Sequence, residues 1–297
     1  MTPTLLGVPY DAASSFLRGA AAAPRAIREA LFSPASNLWT ELGIDLGAPD
    51  ALRDEGDLTI VDGVGGAEVH ARIASEVTRL VDAGALPIVL GGDHSVTSGV
   101  VRGLSASHRP LTILHFDAHP DLYQAFDGDE WSHASPFARV MEAGLADRLV
   151  QIGIRTMNGH QREQAARFGV EVIDMSAWTA GRRPAIAADS LLYLSIDCDA
   201  FDPAFAPGVS HREPGGLTPR EVIDFIQRAG ARIVAADVVE CNPSRDVACL
   251  TSILAAKLVK EIAGAMRLAV SWPRQPTGGE PGVGMLAPSP TGRSTRD

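Results

Sequence analysis

The chain has 297 residues, of which 45% are hydrophobic and 21% charged, so it can bury a large core without disulfides. Its formal net charge of -10 disfavours nucleic acid or an anionic membrane as the main partner. Three cysteines without a CxxC spacing, together with the absence of a visible signal peptide or spanning apolar run, predict a reduced, cytoplasmic protein.

Short apolar runs alternate along the chain with longer segments of helical spacing or composition. The predicted strands are Thr4–Val8, Pro87–Leu90, Leu111–Phe116, Leu149–Ile154, Val170–Ile173, Leu191–Ile196 and Arg232–Ala236. The predicted helices are Pro24–Phe32, Ala67–Ala83, Ser95–Leu104, Pro136–Ala143, Gln161–Phe168, Pro219–Ala229 and Val247–Met266. This alternation predicts an α/β fold, with a mostly parallel sheet and helices on both faces.

Two local signals mark the ends of helices. Thr218 and Glu221 have the spacing of a capping box, and Pro219 suits a first helical turn. After about residue 270 the composition shifts to Pro, Gly, Ser and Thr. We therefore expect one domain over residues 1–270 and a disordered tail over residues 271–297.

Acids and histidines follow three of the predicted strands directly. His94 stands in "GGDHS"; Asp117, His119 and Asp121 stand in "DAHPD"; Asp197 and Asp199 stand in "SIDCDAFDP". A single Asp after a strand is more often a cap or turn residue. A DxHxD motif at one strand end and a DxD motif at another are not explained by capping, because alternate side chains of an extended segment share a face.

Four converging carboxylates would repel one another unless cations were bound between them. The set of two imidazoles and four carboxylates is rich in hard oxygen donors, which suit Mn²⁺ better than thiolate-preferring metals. Six ligands are too many for one catalytic ion with an open position, so the pattern predicts two ions with bridging carboxylates.

At these motifs the sequence resembles the arginase/agmatinase (ureohydrolase) family. The segments "SHASPFARVMEAG", "DPAFAPGVSHREPGGLTPRE" and "DVVECNPSRD" are similar to plant-type arginases, and the similarity extends from about Leu5 to Met266. The resemblance implies a single domain around an eight-stranded parallel sheet, assembled as trimers or hexamers. It also implies a small guanidino compound as the substrate.

The resemblance also implies a role for each matched position. His94, Asp117, Asp121 and Asp197 would bind one Mn²⁺, and His119, Asp117, Asp197 and Asp199 the other. His133 would shuttle protons and Glu240 would bind the guanidinium, while Asp121 would take a proton from the attacking water. On spacing alone, His133 would be a loop residue and Glu240 a strand end, so both assignments depend on the resemblance.

The loop around Ser210, His211 and Arg212 is expected to contact the substrate. It follows the plant arginase pattern, which favours L-arginine, hydrolysed to L-ornithine and urea. Arg212 would pair with a substrate carboxylate or, with equal weight, point to solvent or pair with Glu213 or Glu221. The alternatives are an agmatinase, another guanidino-acid or formiminoglutamate hydrolase, a deacetylase of the same fold, or a non-catalytic relative.

Overall fold

Eight strands form one sheet at the centre of the computed structural model, which describes residues 1–61 and 63–271. The strands are β1 (Thr2–Gly7), β2 (Arg53–Asp57), β3 (Ala85–Leu90), β4 (Leu111–Phe116), β5 (Arg148–Ile154), β6 (Glu171–Asp174), β7 (Leu191–Asp197) and β8 (Arg232–Val239). Their order across the sheet is β2-β1-β3-β8-β7-β4-β5-β6, and all neighbouring pairs are parallel. The predicted α/β fold with a parallel sheet of about eight strands is confirmed.

Helices cover both faces of this sheet, as the sequence predicts. They are α1 (Ala23–Leu31), α2 (Gly66–Asp82), α3 (Val96–Leu104), α4 (Pro136–Glu142), α5 (Gly159–Phe168), α6 (Met175–Thr179), α7 (Pro219–Arg228) and α8 (Leu250–Ser271). Helices α1, α6, α7 and α8 contribute buried side chains to one apolar cluster, and α2 to α5 contribute to another. None of the helices within residues 1–61 and 63–271 is both long and apolar enough to cross a membrane.

The start of α7 confirms the predicted capping box. The Thr218 hydroxyl accepts a hydrogen bond from the Glu221 backbone N–H at 3.3 Å. Glu221 Oε2 in turn accepts one from the Thr218 backbone N–H at 2.8 Å. Two backbone donors that have no partner inside the helix are thereby satisfied, and the start of α7 is fixed by the sequence itself.

Strand β2 and helix α6 have no counterpart among the predicted elements. All five residues of β2 are exposed, and none of them has an apolar side chain. It is held instead by pairing with β1 and by Arg28, whose guanidinium binds Asp54 and Asp57. Helix α6 has only five residues, too few to show a helical period, and begins where Asp174 accepts the Ala177 N–H at 2.8 Å.

Helix α8 begins later and ends later than the predicted segment. Ala248 and Cys249 have positive φ angles of 50° and 58°, which an α-helix does not contain. Asp246 accepts the N–H groups of Thr251 and Ser252, both at 3.0 Å, and so caps the true start. The predicted tail lies outside the described residues, apart from Ser271 at the end of α8.

Candidate active site

The order of the strands brings the candidate residues to one edge of the sheet. Strands β3, β8, β7 and β4 are consecutive neighbours in the sheet, although they are far apart in the chain. The residues at or just beyond their carboxyl ends are His94 after β3, Glu240 after β8, Asp197 and Asp199 at β7, and Asp117, His119 and Asp121 after β4. Ligands of open α/β sheets bind at this edge, outside the carboxyl ends of the strands.

His94 lies at the centre of the first group of donors. One carboxylate oxygen from each of Asp117, Asp121 and Asp197 lies 3.1 Å from its Nδ1 atom. The His94 side chain is fully buried, and Nδ1 makes no hydrogen bond with any described residue. A buried nitrogen without a hydrogen bond, facing three carboxylate oxygens, is the arrangement of donors around a cation.

The other ring nitrogen of His94 is fixed from behind. His94 Nε2 lies 3.0 Å from Ser195 Oγ, and that hydroxyl donates to Asp237 Oδ1 at 2.7 Å. Because the Ser195 proton goes to Asp237, the Ser195 oxygen accepts the Nε2–H of His94. The Nδ1 lone pair is therefore turned toward the three carboxylates, as a metal ligand requires. Ser195 and Asp237 stand inside strands and neither belongs to the DxHxD or DxD spacing, so their sequence positions do not mark this role.

His119 lies at the centre of the second group of donors. Its Nδ1 atom is 3.1 Å from Asp199 Oδ2 and 3.4 Å from Asp117 Oδ1. The Ala118 backbone N–H donates to Asp199 Oδ1 at 3.2 Å, which orients that carboxylate. Asp117, His119 and Asp199 form one group that can hold a metal ion, and Asp117 also belongs to the group around His94.

The electrostatics of this cluster favour a bound cation. Burial, followed by the charges of Asp199 and Asp117, raises the pKa of Asp197 well above its usual value. Burial, followed by the charge of Asp117, raises the pKa of Asp199 to about 6. These carboxylates thus resist ionising together, and divalent cations would remove that conflict. The predicted ligand residues fit a metal centre.

His115 lies beside this cluster and supports one of its carboxylates through a hydrogen bond. Gln151 Nε2 donates to the backbone oxygen of Pro120 at 2.5 Å and lies 3.1 Å from His115 Nδ1. Nδ1 therefore accepts, and the proton on His115 Nε2 points to Asp117 Oδ2, 2.7 Å away. Although His115, His94 and Asp117 lie close enough to share an ion, this tautomer makes His115 a support for Asp117.

His133 and Glu240 meet beside the six acids and histidines that the sequence predicts as metal ligands, which we call the metal-ligand cluster: His94, Asp117, His119, Asp121, Asp197 and Asp199. His133 Nδ1 lies 3.2 Å from Glu240 Oε1, and the same oxygen accepts the His94 backbone N–H at 2.9 Å. Burial lowers the pKa of His133, but the hydrogen bond and charge of Glu240 outweigh it and raise the pKa to about 9. Burial raises the pKa of Glu240, and His133 more than reverses this, leaving the pKa lowered.

Two of these residues have an unfavourable backbone conformation. Asp121 has a φ angle of 48° and Glu240 one of 59°, in the left-handed region that residues with a Cβ atom rarely occupy. Each such residue costs on the order of 1 kcal/mol or more, which the rest of the fold must offset. Both side chains line the same cleft, so the strained backbone directs them toward it.

The loop of Ser210, His211 and Arg212 is only partly directed at this cleft. His211 lines the cleft and stacks on His133, with ring centroids 5.2 Å apart. The Ser210 hydroxyl donates to the Leu17 carbonyl at 2.8 Å. The Arg212 Nε–H donates to the Pro207 carbonyl at 2.8 Å, and neither Ser210 nor Arg212 is among the described residues that line the cleft.

The cleft has a volume of about 440 Å³ and a mixed lining. Its lining includes seven acids and histidines: His119, Asp121, His133, Asp197, Asp199, His211 and Glu240. The other lining residues include uncharged polar and apolar side chains: Ser15, Tyr123, Phe126, Thr156, Met157, Asn158 and Gln161. The size suits a small molecule with one polar end among the acids and histidines.

A parallel α/β sheet with clustered imidazole and carboxylate donors at its carboxyl edge defines a metal-dependent hydrolase. The family model described as "Arginase family" matches residues 2–264. The chain therefore belongs to the arginase family, and it is a hydrolase that acts on guanidino C–N bonds. The family is metal-dependent, and the described residues include two His/Asp groups that can hold metal.

Individual relatives agree with the family assignment. "Arginase 1, mitochondrial" of Arabidopsis thaliana is 47% identical over 273 residues, which cover 88% of this chain and 80% of the relative. The proclavaminate amidinohydrolase of Streptomyces clavuligerus is 34% identical, covering 87% and 86% of the two chains. The solved structure "Arginase from Medicago truncatula" is 44% identical with a TM-score of 0.83, covering 89% of this chain and 87% of that one. The resemblance to plant-type arginases is confirmed.

The expectation of a cytoplasmic location is wrong. The relatives from Arabidopsis thaliana and Medicago truncatula are named mitochondrial, and a second Arabidopsis thaliana relative is named chloroplastic/mitochondrial. The expectation rested on the lack of a visible signal peptide or spanning apolar run and on three cysteines, which are all free thiols in the structure. Free thiols indicate a reducing environment and do not distinguish one compartment from another.

Proposed function

We propose that this protein hydrolyses the guanidino group of L-arginine to L-ornithine and urea, with two Mn²⁺ ions per subunit. The observation that carries the proposal is that a carboxylate and a histidine, Glu240 and His133, share one cleft with a metal-ligand cluster. A guanidinium has the charge and planar N–H pattern that a carboxylate binds through two hydrogen bonds. The plant relatives named arginase support the same substrate.

The donor set supports two ions rather than one. His94, Asp117, Asp121 and Asp197 would hold one ion, and His119, Asp117, Asp197 and Asp199 the other. When bound, such ions lower the pKa of coordinated water and so provide hydroxide at neutral pH. The oxygen-rich chemistry of these ligands favours Mn²⁺ over thiolate-preferring metals.

Two protein groups would then guide the substrate and the protons. Glu240 holds the guanidinium so that its carbon faces the metal ligands, which replaces a chance encounter with a fixed geometry. Asp121 takes the proton of the attacking water. His133 supplies a proton to the departing amine, which leaves poorly without one.

The lining of the cleft favours arginine over agmatine. L-arginine carries an ammonium and a carboxylate at the end away from the guanidinium, whereas agmatine carries only an ammonium there. Besides its acids and histidines, the described cleft lining offers hydroxyl and amide groups such as those of Tyr123 and Asn158. Such O–H and N–H donors can bind the carboxylate that L-arginine has and agmatine lacks.

Steady-state urea release from L-arginine, agmatine and 4-guanidinobutyrate, with Mn²⁺ added, tests the proposal. We expect kcat/KM to be highest for L-arginine. Faster turnover of agmatine would make the protein an agmatinase, and faster turnover of 4-guanidinobutyrate would make it a guanidino-acid hydrolase. Both alternatives have counterparts among the relatives, which include a "Guanidino acid hydrolase, mitochondrial" of Homo sapiens at 32% identity.

Two further proposals concern the organisation of the protein. We propose that residues 1–270 form the catalytic domain and that subunits associate into trimers or hexamers. The second proposal follows from the resemblance to the family. Light scattering coupled to size-exclusion chromatography would measure the mass of the assembly, and a monomer would contradict it.

A further inference from the structure

Ser15 lies on the loop after β1 and contacts the histidine of the cleft. Its Oγ atom is 2.9 Å from His133 Nε2, on the edge of the ring opposite Glu240. Ser15 is exposed, whereas only 9% of His133 is accessible to solvent. The Ser15 hydroxyl thus stands between a buried ring nitrogen and the solvent of the cleft.

The loop that carries Ser15 is fastened to the protein interior. Asp93 is fully buried, and its Oδ2 atom accepts the Ala13 backbone N–H at 3.0 Å and the Ser14 hydroxyl at 3.4 Å. The Ala13 carbonyl in turn accepts the backbone N–H of His133 at 3.3 Å. The two backbone hydrogen bonds of Ala13, to Asp93 and from His133, therefore fix the position of Ser15 relative to His133 without the Ser14 hydroxyl.

The hydrogen bonds of His133 determine which of its nitrogens exchanges a proton. Glu240 Oε1 already accepts the His94 backbone N–H, and it lies 3.2 Å from His133 Nδ1, so it serves as an acceptor there too and Nδ1 carries the hydrogen that it donates. The nitrogen that gains and loses a proton is then Nε2, which faces Ser15. Since His211 stacks over one face of the ring, the Nε2 edge is the open route to the cleft.

A hydroxyl suits both protonation states of this nitrogen. When His133 is neutral, the Ser15 O–H donates to the Nε2 lone pair, and when His133 is charged, Nε2–H donates to the Ser15 oxygen. We infer that Ser15 is a positioning residue that passes protons between solvent acids and His133 Nε2. This inference rests on the proposed function, in which His133 supplies a proton to the departing amine.

The relay leaves Ser15 unchanged after each passage. A solvent or buffer acid gives its proton to Ser15 Oγ as the Ser15 proton moves to His133 Nε2. The imidazole becomes imidazolium, and the acid keeps the electron pair of the bond that breaks. His133 then gives the Nε2 proton to the amine and is ready for the next cycle.

Three variants of the full-length, Mn²⁺-loaded protein test the relay. Ser15→Ala removes the hydroxyl, Ser15→Thr keeps it, and Ser14→Ala removes the neighbouring hydroxyl that binds Asp93 and not His133. With saturating L-arginine we expect Ser15→Ala to lower kcat about tenfold or more and to change KM less than about twofold, as loss of a proton-transfer partner does. Ser15→Thr and Ser14→Ala should stay within about threefold of the wild-type kcat.

Small buffer acids provide a second test of the same variants. Imidazole added to Ser15→Ala should restore kcat with a saturable dependence on its concentration, because it can reach the vacated position beside Nε2. It should leave the wild-type kcat unchanged. A wild-type kcat in Ser15→Ala, an equal loss in Ser14→Ala, or a loss that imidazole does not restore would each overturn the relay.

A measurement without turnover separates this inference from the proposed function. In Mg²⁺-loaded protein with ¹⁵N-labelled histidine, where no paramagnetic Mn²⁺ broadens the signals near the site, the Nε2 resonance of His133 is assigned by its loss in His133→Asn. We expect it to move in Ser15→Ala and to stay in place in Ser14→Ala. Absence of urea release from every guanidino substrate would refute the proposed function, whereas an unmoved resonance would refute the contact on which the relay depends.

Discussion

Glu240 binds His133 and the backbone of His94 through a single oxygen atom. Its Oε1 atom lies 3.2 Å from His133 Nδ1 and 2.9 Å from the His94 N–H, so the proposed guanidinium-binding carboxylate also orients the proposed proton shuttle. The same backbone N–H belongs to a residue whose ring faces the metal-ligand cluster. One carboxylate therefore connects the proposed metal ligands, the proposed guanidinium site and the proposed proton shuttle.

The first prediction concerns stability and pH. The pKa of His133 is raised to about 9 in the fold, from about 6.5 in the unfolded chain. Below about pH 6.5 both states are protonated and the stabilising contribution of the His133–Glu240 pair is fully present. It is lost as the pH rises through about 9. The free energy of unfolding of the wild type should therefore exceed that of His133→Asn by less at about pH 10 than at about pH 6.

Urea unfolding of the metal-free proteins at several pH values measures this difference. His160→Asn is a matched control, because His160 is exposed and lies outside the cluster. We expect the difference between wild type and this control to be constant over the same range. A constant difference for His133→Asn would show that the ion pair does not contribute to folding.

The second prediction concerns Glu240→Gln, which removes the charge but keeps the shape. A hydrogen bond to a charged group contributes about 1.5–3 kcal/mol, which corresponds to roughly 10–100-fold in rate or affinity. We expect kcat/KM for L-arginine to fall by about that factor or more, since His133 also loses its anionic partner. The control variant Glu163→Gln makes the same change at an exposed position of α5. Its kcat/KM should match that of the wild type.

The third prediction concerns the metal and pH together. In the absence of ions, the pKa of Asp199 is about 6, well above its unfolded value, so ionising it as the pH rises destabilises the metal-free fold. A bound cation removes this penalty, and protons compete with metal at low pH. The increase in Tm between EDTA-treated and Mn²⁺-loaded protein should be larger at about pH 8 than at about pH 5.

An excess of metal at about 100 times its Kd adds about 2.7 kcal/mol of stability, which sets the scale of this Tm change. Mg²⁺ at the same concentration is a useful comparison, because it binds fewer protein ligands and keeps its waters. An increase in Tm that is the same at both pH values would mean that the cluster does not bind the ions through ionised carboxylates.

The fourth prediction concerns the number of ions. Asp199 lies 3.1 Å from His119 and belongs to one of the two donor groups, while His94 faces three other carboxylates. Asp199→Ala should therefore lower the metal content measured by mass spectrometry from two ions per subunit toward one, and it should abolish urea release. The control variant Asp189→Ala removes an exposed carboxylate outside the cluster, and it should still bind two ions per subunit. Full activity with two ions in Asp199→Ala would refute the ligand assignment.

The sequence predicts the frame of this site because the relevant signals are local. Alternation of strands and helices is visible in any window of the chain, and "DAHPD" places its side chains without reference to the rest of the fold. The spatial order β3-β8-β7-β4 is not local, and the convergence of His94 with Asp197 follows from it. The position of all three motifs after predicted strands led us to expect this convergence, but the strand order that produces it was not predicted.

The roles of the supporting residues could not be predicted from the sequence, for a physical reason. Ser195, Asp237 and Gln151 act through hydrogen bonds to residues that are distant in the chain, and a single Ser or Gln in an apolar strand has no distinctive spacing. Ser15 stands in a loop of small residues with no period at all. Strand β2 was missed because charge pairs with Arg28, rather than apolar burial, hold it in place.

The fifth prediction concerns Arg212, which the sequence offered as a partner for the substrate carboxylate. Its guanidinium donates to the backbone carbonyls of Pro207 and Arg245 instead, at 2.8 Å and 3.4 Å. Arg212→Ala should therefore loosen this loop while leaving the ratio of kcat/KM for L-arginine to that for agmatine within about threefold of wild type. His211→Ala, which removes a ring that lines the cleft and stacks on His133, should change the kinetics for both substrates. If Arg212→Ala lowered kcat/KM for L-arginine about tenfold and spared agmatine, Arg212 would have to turn into the cleft when substrate binds, because its present hydrogen bonds give the carboxylate no contact.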